Sequence, residues 1–300
     1  MSPLFRRPPA ADPAAALRAE ESQRRLEAGG IPLPASERLA ALSQGSAVFG
    51  SDLEVAEYAL LQQLGITPVT LVMGSSIYHV GWQGTMGYTF TPGEITVLSG
   101  GYNECRRLAL GRLLEEASTC GADAVVGVRI TQGGHDWAPG AVEFIAVGTA
   151  VRLPASLKAP VTVLTDLSGQ DYWKLCAAGL RPIGIAGHTS VHYVPASWQT
   201  QMAQGGGVYG GGWRNQELTD FTRGVYAARE TAMHYLTAQA RELGGDGVVG
   251  VKIEQHSAGH RVAGIGYERE DLIVTFNVIG TVIREESVGE LAPARGVITL

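Results

Sequence analysis

Histidines are the residues of this sequence best suited to metal chemistry. His256 and His260 flank Gly259, and a loop containing that glycine could turn both imidazole rings toward one point. His135 occupies the equivalent hairpin of an earlier, similar stretch of the chain. Because imidazole nitrogens bind zinc-like ions, His135, His256 and His260 form a candidate site for a divalent transition metal or a small ligand. The alternative, that they are ordinary polar loop histidines, stays open.

A second pair of histidines does not suit a single ion. His188 and His192 stand four residues apart, and the intervening Thr189-Ser190-Val191 favours a strand. In a strand the two side chains share a face but lie about 13 Å apart. That distance is too long for two ligands of one metal ion.

Nucleotide binding and covalent catalysis find little support. Residues 205–210 have GxGxxG spacing, but a polar run precedes them where a buried strand is required, and no suitable acidic residue follows. Cys105, Cys120 and Cys176 are scattered, which is typical of small buried thiols. We therefore predict no catalytic residue, no cofactor other than the candidate metal, and a protein that is not an enzyme.

The composition excludes several classes of partner. Hydrophobic residues make up 45% of the 300 residues and charged residues 17%, as in globular proteins. The net charge of −6 gives no reason to expect binding to nucleic acid. No apolar run approaches the roughly 20 residues of a membrane span, and the N-terminus lacks the apolar segment of a secretory signal. Three isolated cysteines fit reduced thiols, so we predict a cytoplasmic protein.

The element that must position these side chains is encoded twice. GADAVVGVRI runs from Gly121 to Ile130, and GGDGVVGVKI runs from Gly244 to Ile253. Each phrase follows a helical pattern, so the first glycine is expected to end the helix with a left-handed residue. Asp123 and Asp246 suit the following turn. The rest of each phrase predicts a buried strand.

Within that strand, period-two alternation places Val126, Val128 and Ile130 on one face. Gly127 and Gly250 fall on the other face. A glycine inside a strand usually marks the close approach of another element, so we interpret both as packing glycines and as structural or interface residues. The alternative, that a ligand approaches the backbone there, stays open.

The duplication extends well beyond the phrase. Thr165-Asp166-Leu167 follows Ser51-Asp52-Leu53 at an offset of 114 residues, and the long helical patterns repeat at an offset of 123. Such drift is expected when loops diverge after a domain is duplicated. We therefore predict a partly helical N-terminal arm (1–50), repeat 1 (51–155), a linker (156–164), repeat 2 (165–287) and a C-terminal tail (288–300).

A helix followed by Gly-Ala-Asp-Ala-Val-Val-Gly-Val-Arg, then a hairpin to Gly148-Thr149-Ala150, resembles the YbjQ family of heavy-metal-binding domains. The strand that ends in Met73-Gly74-Ser75-Ser76 fits the same plan. The resemblance implies an α+β fold, in which each domain has an antiparallel sheet with one long and one short helix. It also implies assembly into a homo-oligomer, a pentameric ring, and no established catalytic activity.

Aromatic residues in the connections indicate where such an assembly would form. Trp82, Trp137 and Trp213 lie outside the periodic elements, and tryptophan is enriched at protein interfaces. An equally open alternative is that these rings cover the core of their own domain. The leading prediction is a self-assembling scaffold or interaction module whose N-terminal arm could also recruit a protein partner, and the alternative is a metal- or ligand-binding sensor.

Overall fold

The computed structural model describes residues 12–44, 48–81, 91–134, 140–204, 215–264 and 267–286. The helices are α1 (Pro13–Glu27), α2 (Leu33–Ser43), α3 (Val55–Gln63), α4 (Thr96–Thr119), α5 (Gly169–Ala177), α6 (Trp198–Gln204) and α7 (Thr219–Glu242). The strands are β1 (Thr67–His79), β2 (Gly93–Glu94), β3 (Ala124–Gly134), β4 (Ala141–Arg152), β5 (Val163–Leu164), β6 (Leu180–Val194), β7 (Gly247–Gly264) and β8 (Tyr267–Glu285). Repeat 1 contains α3 to β4. We count β5, which lies at the end of the predicted linker (156–164), with repeat 2, so repeat 2 contains β5 to β8.

The strands form two four-stranded sheets, one for each repeat. Their orders are β1-β4-β3-β5 and β2-β6-β8-β7. All pairs are antiparallel except β3 with β5. The predicted α+β fold of two tandem domains is therefore confirmed, and α6 is a helix of repeat 2 that the sequence did not reveal.

The long helices α4 and α7 confirm the duplication in atomic detail. Each has 24 residues, and Thr219 at the start of α7 lies 123 positions after Thr96. The residues before them share a backbone conformation, with φ −89° and ψ 83° at Ile95 and φ −88° and ψ 81° at Leu218. α4 starts earlier than its apolar periodicity begins, because its first turns contact the edge of β6.

Each long helix packs its small and branched residues on its own sheet. Leu113 and Ala117 of α4 are buried against Val125 and Val128 of β3. Leu236 of α7 is buried against repeat 2 in the same way. Gly121 and Gly244 follow these helices with φ of +70° and +76°, which confirms the predicted left-handed helix ends.

The two repeats exchange short strands. β2 comes from repeat 1 but pairs with β6, where Gly93 lies opposite Tyr193 and Glu94 opposite His192. β5 comes from repeat 2 but pairs with β3, where Val163 lies opposite Ala124. Each sheet therefore has an edge that is completed by the other repeat.

The predicted alternation in the repeated phrase is wrong because both strands contain a β-bulge. The β3–β4 register shifts between Val126 and Arg129, and Gly127 has φ +64°. Val126 consequently packs on the side of α3 and α5, whereas Val128 packs under α4. An added Cβ at Gly127 would meet no atom within 4 Å. The glycine is required by its left-handed backbone and not by close packing.

The left-handed backbone at Gly127 predicts that alanine destabilises the protein more than the larger asparagine does at this position. We expect Gly127→Ala to lower the free energy of unfolding by about 1 kcal/mol, and Gly127→Asn to lower it less, because asparagine tolerates the left-handed region. Urea unfolding of the two variants measures the difference. If Gly127 were a packing glycine, the larger asparagine would be the more damaging substitution.

The described part of the N-terminal arm folds back on repeat 1. Ile31 and Leu39 are buried in the core beneath α4, and Arg38 pairs with the buried Glu116 at 2.9 Å. Arg112 of α4 donates hydrogen bonds to the carbonyls of Leu26 and Gly30. The turn between α1 and α2 and the helix α2 are thus part of the domain, whereas α1 has no buried residue.

Among the described residues, no helix is both long and apolar enough to cross a membrane.

Candidate functional site

The predicted loop around His256 and His260 is a strand. Both residues belong to β7, where His256 lies opposite Thr275 and His260 opposite Asp271. Their side chains share a face of the β7–β8 ribbon but are about 13 Å apart, so they do not converge on one ion. Within the described ranges, no three His, Cys, Asp or Glu side chains are grouped to hold a metal. His135 lies outside the described residues.

His256 does line a cavity between the repeats. The cavity has a volume of about 450 Å³ and is bounded by α4, β3, β7 and β8. Glu254 contributes a carboxylate beside His256 and accepts the amide N–H of Asn277 at 3.4 Å, and Tyr102 contributes an aromatic wall. His260 is absent from its lining and stands instead edge-on to the Tyr193 ring, with centroids 6.1 Å apart.

A larger cleft of about 750 Å³ contains a constellation that is present twice. In repeat 1, Asp52 pairs with Arg129 and its backbone N–H donates to Thr149 Oγ1 at 3.1 Å. In repeat 2, Asp166 makes the same two contacts with Lys252 and Thr281. Lys252 Nζ lies 3.1 Å from Asp166 Oδ2, and the Asp166 N–H donates to Thr281 Oγ1 at 3.1 Å.

This arrangement fixes the segments before α3 and α5. Each aspartate is paired with a cation of its own repeat, and each threonine hydroxyl is held by a backbone N–H. Because the same contacts recur in both repeats and satisfy these side chains, the cleft fits a structural role.

Asp123 and Asp246 also have equivalent structural partners. Asp123 Oδ2 accepts the N–H of Leu153 at 2.9 Å, and Asp246 Oδ2 accepts the N–H of Glu285 at 2.9 Å. Each aspartate therefore joins the start of one strand to the end of its neighbour. The interface residues proposed from the sequence, Trp82, Trp137 and Trp213, lie outside the described residues.

The most developed polar site of the molecule is the contact between α4 and the edge of β6, which we call the inter-repeat seam. It comprises Ile95, Ser99, Asn103 and Arg106 of repeat 1 with Gly187, Thr189 and Val191 of repeat 2. Asn103 accepts the N–H of Thr189 at 2.9 Å and donates to its carbonyl at 2.9 Å. Ser99 Oγ accepts the N–H of Val191 at 2.9 Å, and the N–H of Ile95 donates to the Val191 carbonyl at 2.7 Å.

Arg106 is the centre of the seam. Its buried guanidinium donates to the carbonyl of Gly187, to Thr189 Oγ1 at 3.2 Å and to Asn103 Oδ1 at 2.6 Å. Burial lowers the pKa of Arg106 to about 10, so the group stays charged at neutral pH. The helix thus supplies side chains that replace a neighbouring strand along the edge of β6.

Sequence reasoning missed these seam residues because they carry no catalytic or metal-binding pattern. The one sequence feature that could have indicated the seam is the pair Asn103 and Arg106, which lie three residues apart and so on one face of α4. Polar helix residues three apart are usually solvated pairs. Only the packing of repeat 2 against α4 distinguishes this pair from a solvated one.

Buried histidines beside the seam are ionisable groups that the sequence did not connect to it. His188 stacks on Tyr235 with ring centroids 4.2 Å apart and contacts Asn103 through Nε2 at 3.4 Å. Burial, together with the nearby charge of Arg106, lowers the pKa of His188 to about 4. Burial also lowers the pKa of His192.

These shifts predict a loss of stability in mild acid. Between about pH 6.5 and pH 4 the unfolded chain binds a proton at His188 that the folded chain does not bind. The free energy of unfolding should therefore fall by about 1–3 kcal/mol as the pH decreases through this range. Urea unfolding between about pH 7.5 and pH 5 measures this fall. The His188→Gln variant should show a shallower fall, and an unchanged slope would contradict the assignment.

The cysteines are free and buried, as the sequence predicts. Burial raises the pKa of each thiol, and that of Cys176 to about 11. Thiols with raised pKa values are poor nucleophiles at neutral pH.

Comparisons with known proteins agree with the duplication. A family model described as "Putative heavy-metal-binding", that of YbjQ, matches residues 52–154 and 209–283. An encapsulin nanocompartment protein of Mycobacterium tuberculosis is 33% identical over 273 residues, which cover 88% of this chain and 95% of that protein. No solved structure shows a significant match.

Shorter relatives match one copy of the repeat. A UPF0145 protein of Pseudothermotoga lettingae is 31% identical over 109 residues, covering 35% of this chain and 96% of the relative. A UPF0145 protein of Clostridium novyi is 38% identical over 91 residues, covering 29% of this chain and 86% of the relative.

Proposed function

The chain belongs to the YbjQ family, of which it carries two tandem copies, and on that premise we propose that it is a non-enzymatic scaffold that assembles with copies of itself. The inter-repeat seam is the observation that carries this proposal. There one YbjQ-like domain caps the sheet edge of another with a buried arginine, an asparagine and a two-residue strand. Pairing with the sheet edge of a neighbouring domain is a common way for protein domains to associate.

A similar long relative supports the same direction. The M. tuberculosis protein, which aligns over nearly its whole length, is named for an encapsulin nanocompartment. We propose that the present chain forms a closed homo-oligomer. Five chains, and hence ten YbjQ-like domains in one ring, are the number that the family resemblance suggests.

The native mass tests this function. Mass photometry of the purified chain at low concentration should give a closed multiple of 31.6 kDa, and five chains is the expected multiple. A particle of one chain at all concentrations would contradict self-assembly. A closed particle with another number of chains would contradict only the pentamer.

Other parts of the proposal follow from the chemistry of the described residues. The free, buried thiols fit a reducing compartment, so we place the assembly in the cytoplasm. The exposed surface of α1 gives the N-terminal arm a face that a protein partner could bind. The charge of −6 argues against nucleic acid as that partner.

A metal or small ligand at the His256 cavity is the second candidate function. The observation favouring it is that His256 and Glu254 share the lining of one inter-repeat cavity. Elemental analysis and thermal shifts with Zn²⁺ test it, with His256→Ala as the variant and His260→Ala, outside the cavity, as the matched control. Metal lost only in His256→Ala would support the site. A protein with no bound metal and no Zn²⁺ shift would exclude it.

A further inference from the structure

The contact between the repeats has two parts, each of which completes a sheet edge. In the first part, β2 and the first half of α4 cover the edge of β6. In the second part, β5 and the residues after it cover the edge of β3. There the N–H of Gly127 donates to the Leu167 carbonyl at 2.7 Å, and the N–H of Val128 donates to the Thr165 carbonyl at 3.0 Å. Because the domains are duplicates, each of these four surfaces has an equivalent in the other repeat.

The equivalent of the first half of α4 is the first half of α7, which buries Gly224 and Ala228 on its own sheet but leaves Tyr226 and Arg229 exposed. Thr222, Tyr226 and Arg229 stand 123 positions after Ser99, Asn103 and Arg106. Arg106 is buried but Arg229 is exposed, and Tyr226 is 63% exposed.

The backbone before α7 is also arranged for the same contact. Leu218 has the conformation of Ile95, whose N–H bonds the edge of β6. Gln216 and Glu217 precede it as Gly93 and Glu94 precede Ile95, and both are exposed. Repeat 2 therefore presents a preformed copy of the docking element of repeat 1.

The surface that this element fits is the edge of β1. Ile77 is the equivalent of Val191 at an offset of 114, but Ile77 is 55% exposed whereas Val191 is 1% exposed. Met73, the equivalent of Gly187, is also exposed. The outward backbone groups of β1 occur at odd positions. The Met73 N–H donates to Glu116 and the Ser75 carbonyl accepts from Arg112 of the same chain. Within the described residues, no hydrogen bond reaches the outward groups of Ile77.

The edge of β7 in repeat 2, which is equivalent to the edge of β3 that β5 covers, is also left uncovered by the described residues. Val251 is the equivalent of Val128 but is 39% exposed, whereas Val128 is 1% exposed. The segment that would cover it is equivalent to β5 and corresponds to residues 49–53. Phe49 in that segment stands for the buried Val163 and is exposed.

We propose that a second copy of this chain docks head to tail, so that its repeat 1 meets repeat 2 of the first copy through the contacts of the inter-repeat seam. Residues 216–229 of one copy cover the β1 edge of the next, where Arg229 donates to the Met73 carbonyl and Thr222 accepts the Ile77 N–H. Residues 49–53 of the next copy cover the edge of β7 in return. This proposal rests on the proposed function, since it names the surface through which the scaffold assembles.

The contact is heterologous, because the two copies use different surfaces. Each added chain presents a fresh α7 surface at one end and a fresh β1 edge at the other. Such contacts form a ring where the rotation between copies closes, as the proposed function requires. In that ring the edge of β1 would be covered as the seam covers the edge of β6, with Tyr226 in the place of Asn103.

Opposite-surface variants test the contact through the native mass. Arg229→Glu damages the α7 surface, and Ile77→Asp damages the β1 edge. Each is expected to reduce the particle to single chains of 31.6 kDa. Arg223→Glu is the matched control, because Arg223 is exposed on the same helix but aligns with the exposed Gly100, outside the seam. It should keep the wild-type mass.

Mixing the two damaged variants gives the decisive measurement. Ile77→Asp keeps an intact α7 surface, and Arg229→Glu keeps an intact β1 edge. An equimolar mixture should therefore form particles of exactly one chain of each kind, while either variant alone stays single. An interface that uses the same surface on both copies would give no such pairing and would overturn the proposal.

The outcomes separate this contact from the proposed function. If the wild type is oligomeric and both variants keep its mass, the scaffold stands but this interface is wrong. If the wild type is a single chain, both are wrong. Circular dichroism confirms that each variant is folded, and Tyr226→Asp replaces Arg229→Glu if that variant is not.

Discussion

Replacing Arg106 with alanine is expected to lower the free energy of unfolding by about 3–5 kcal/mol. The substitution removes the donors for the Gly187 carbonyl, Thr189 Oγ1 and Asn103 Oδ1, all within the buried seam. A hydrogen bond to a charged group contributes roughly 1.5–3 kcal/mol. Asn103 Oδ1 keeps its bond from the Thr189 N–H and Thr189 Oγ1 keeps its bond to Asn277, and the relief of burying a charge offsets part of the loss, so the total is less than three full contributions.

Two companion variants identify the cause of that loss. Arg107→Ala, one position along α4, removes an exposed arginine paired with Glu104 and should change stability by less than about 0.5 kcal/mol. Arg106→Met restores most of the volume but none of the donors, so it should remain well below the wild type. Urea unfolding monitored by circular dichroism measures all three. A loss below about 1 kcal/mol for Arg106→Ala would show that the seam is not held by its arginine.

Gly74→Ala is expected to destabilise repeat 1 by about 3 kcal/mol or more. Gly74 lies in β1 where α4 crosses it most closely. An added Cβ would fall inside contact distance of the Ala109 carbonyl and 2.5 Å from the Leu113 backbone nitrogen. Backbone atoms of a helix cannot rotate away as a side chain can, so the whole of α4 must shift from its sheet.

The matched control places the same methyl group on α4 itself. Gly111 is exposed, and a Cβ there would meet no atom within 4 Å. Gly111→Ala should therefore stabilise the protein by about 0.5–1 kcal/mol through helix propensity. Thermal unfolding followed by circular dichroism compares the two variants. Equal melting temperatures for Gly74→Ala and the wild type would mean that the contact between α4 and β1 yields without cost.

Helix ends and the strands that follow them could be predicted from the sequence, because they depend on residues that are close together in the chain. The left-handed glycines at 121 and 244 end helices whose periodic apolar residues are visible in the sequence. The strand after each helix is also visible, because its β-branched residues form a continuous run. These features depend on neighbours in the chain, which sequence reasoning can read. The predicted burial is confirmed for β3 and is wrong for β7, where Val251 and Ile253 are 39% and 51% exposed because no segment of the described chain covers that edge of the sheet.

Features that depend on distant partners could not be read in this way. The two residues of β2 and the two of β5 are too short for any periodicity, and they are strands only because another repeat presents an edge to them. His256 and His260 looked like loop residues because Gly259 lies between them. They are in β7 because β8 pairs with it over its entire length. Arg106 became a candidate only once β6 was seen beside it.

The exchange of β2 and β5 also determines how the contact between the repeats depends on protein concentration. Residues 153–162 tether the two repeats, so the contact between them forms within one molecule and does not depend on how much protein is present. Even short flexible tethers provide effective concentrations in the millimolar range, and this one is held further by the burial of Leu153 and Leu157. The inter-repeat seam within each chain is therefore insensitive to dilution. Only the proposed contact between chains should dissociate when the protein is diluted.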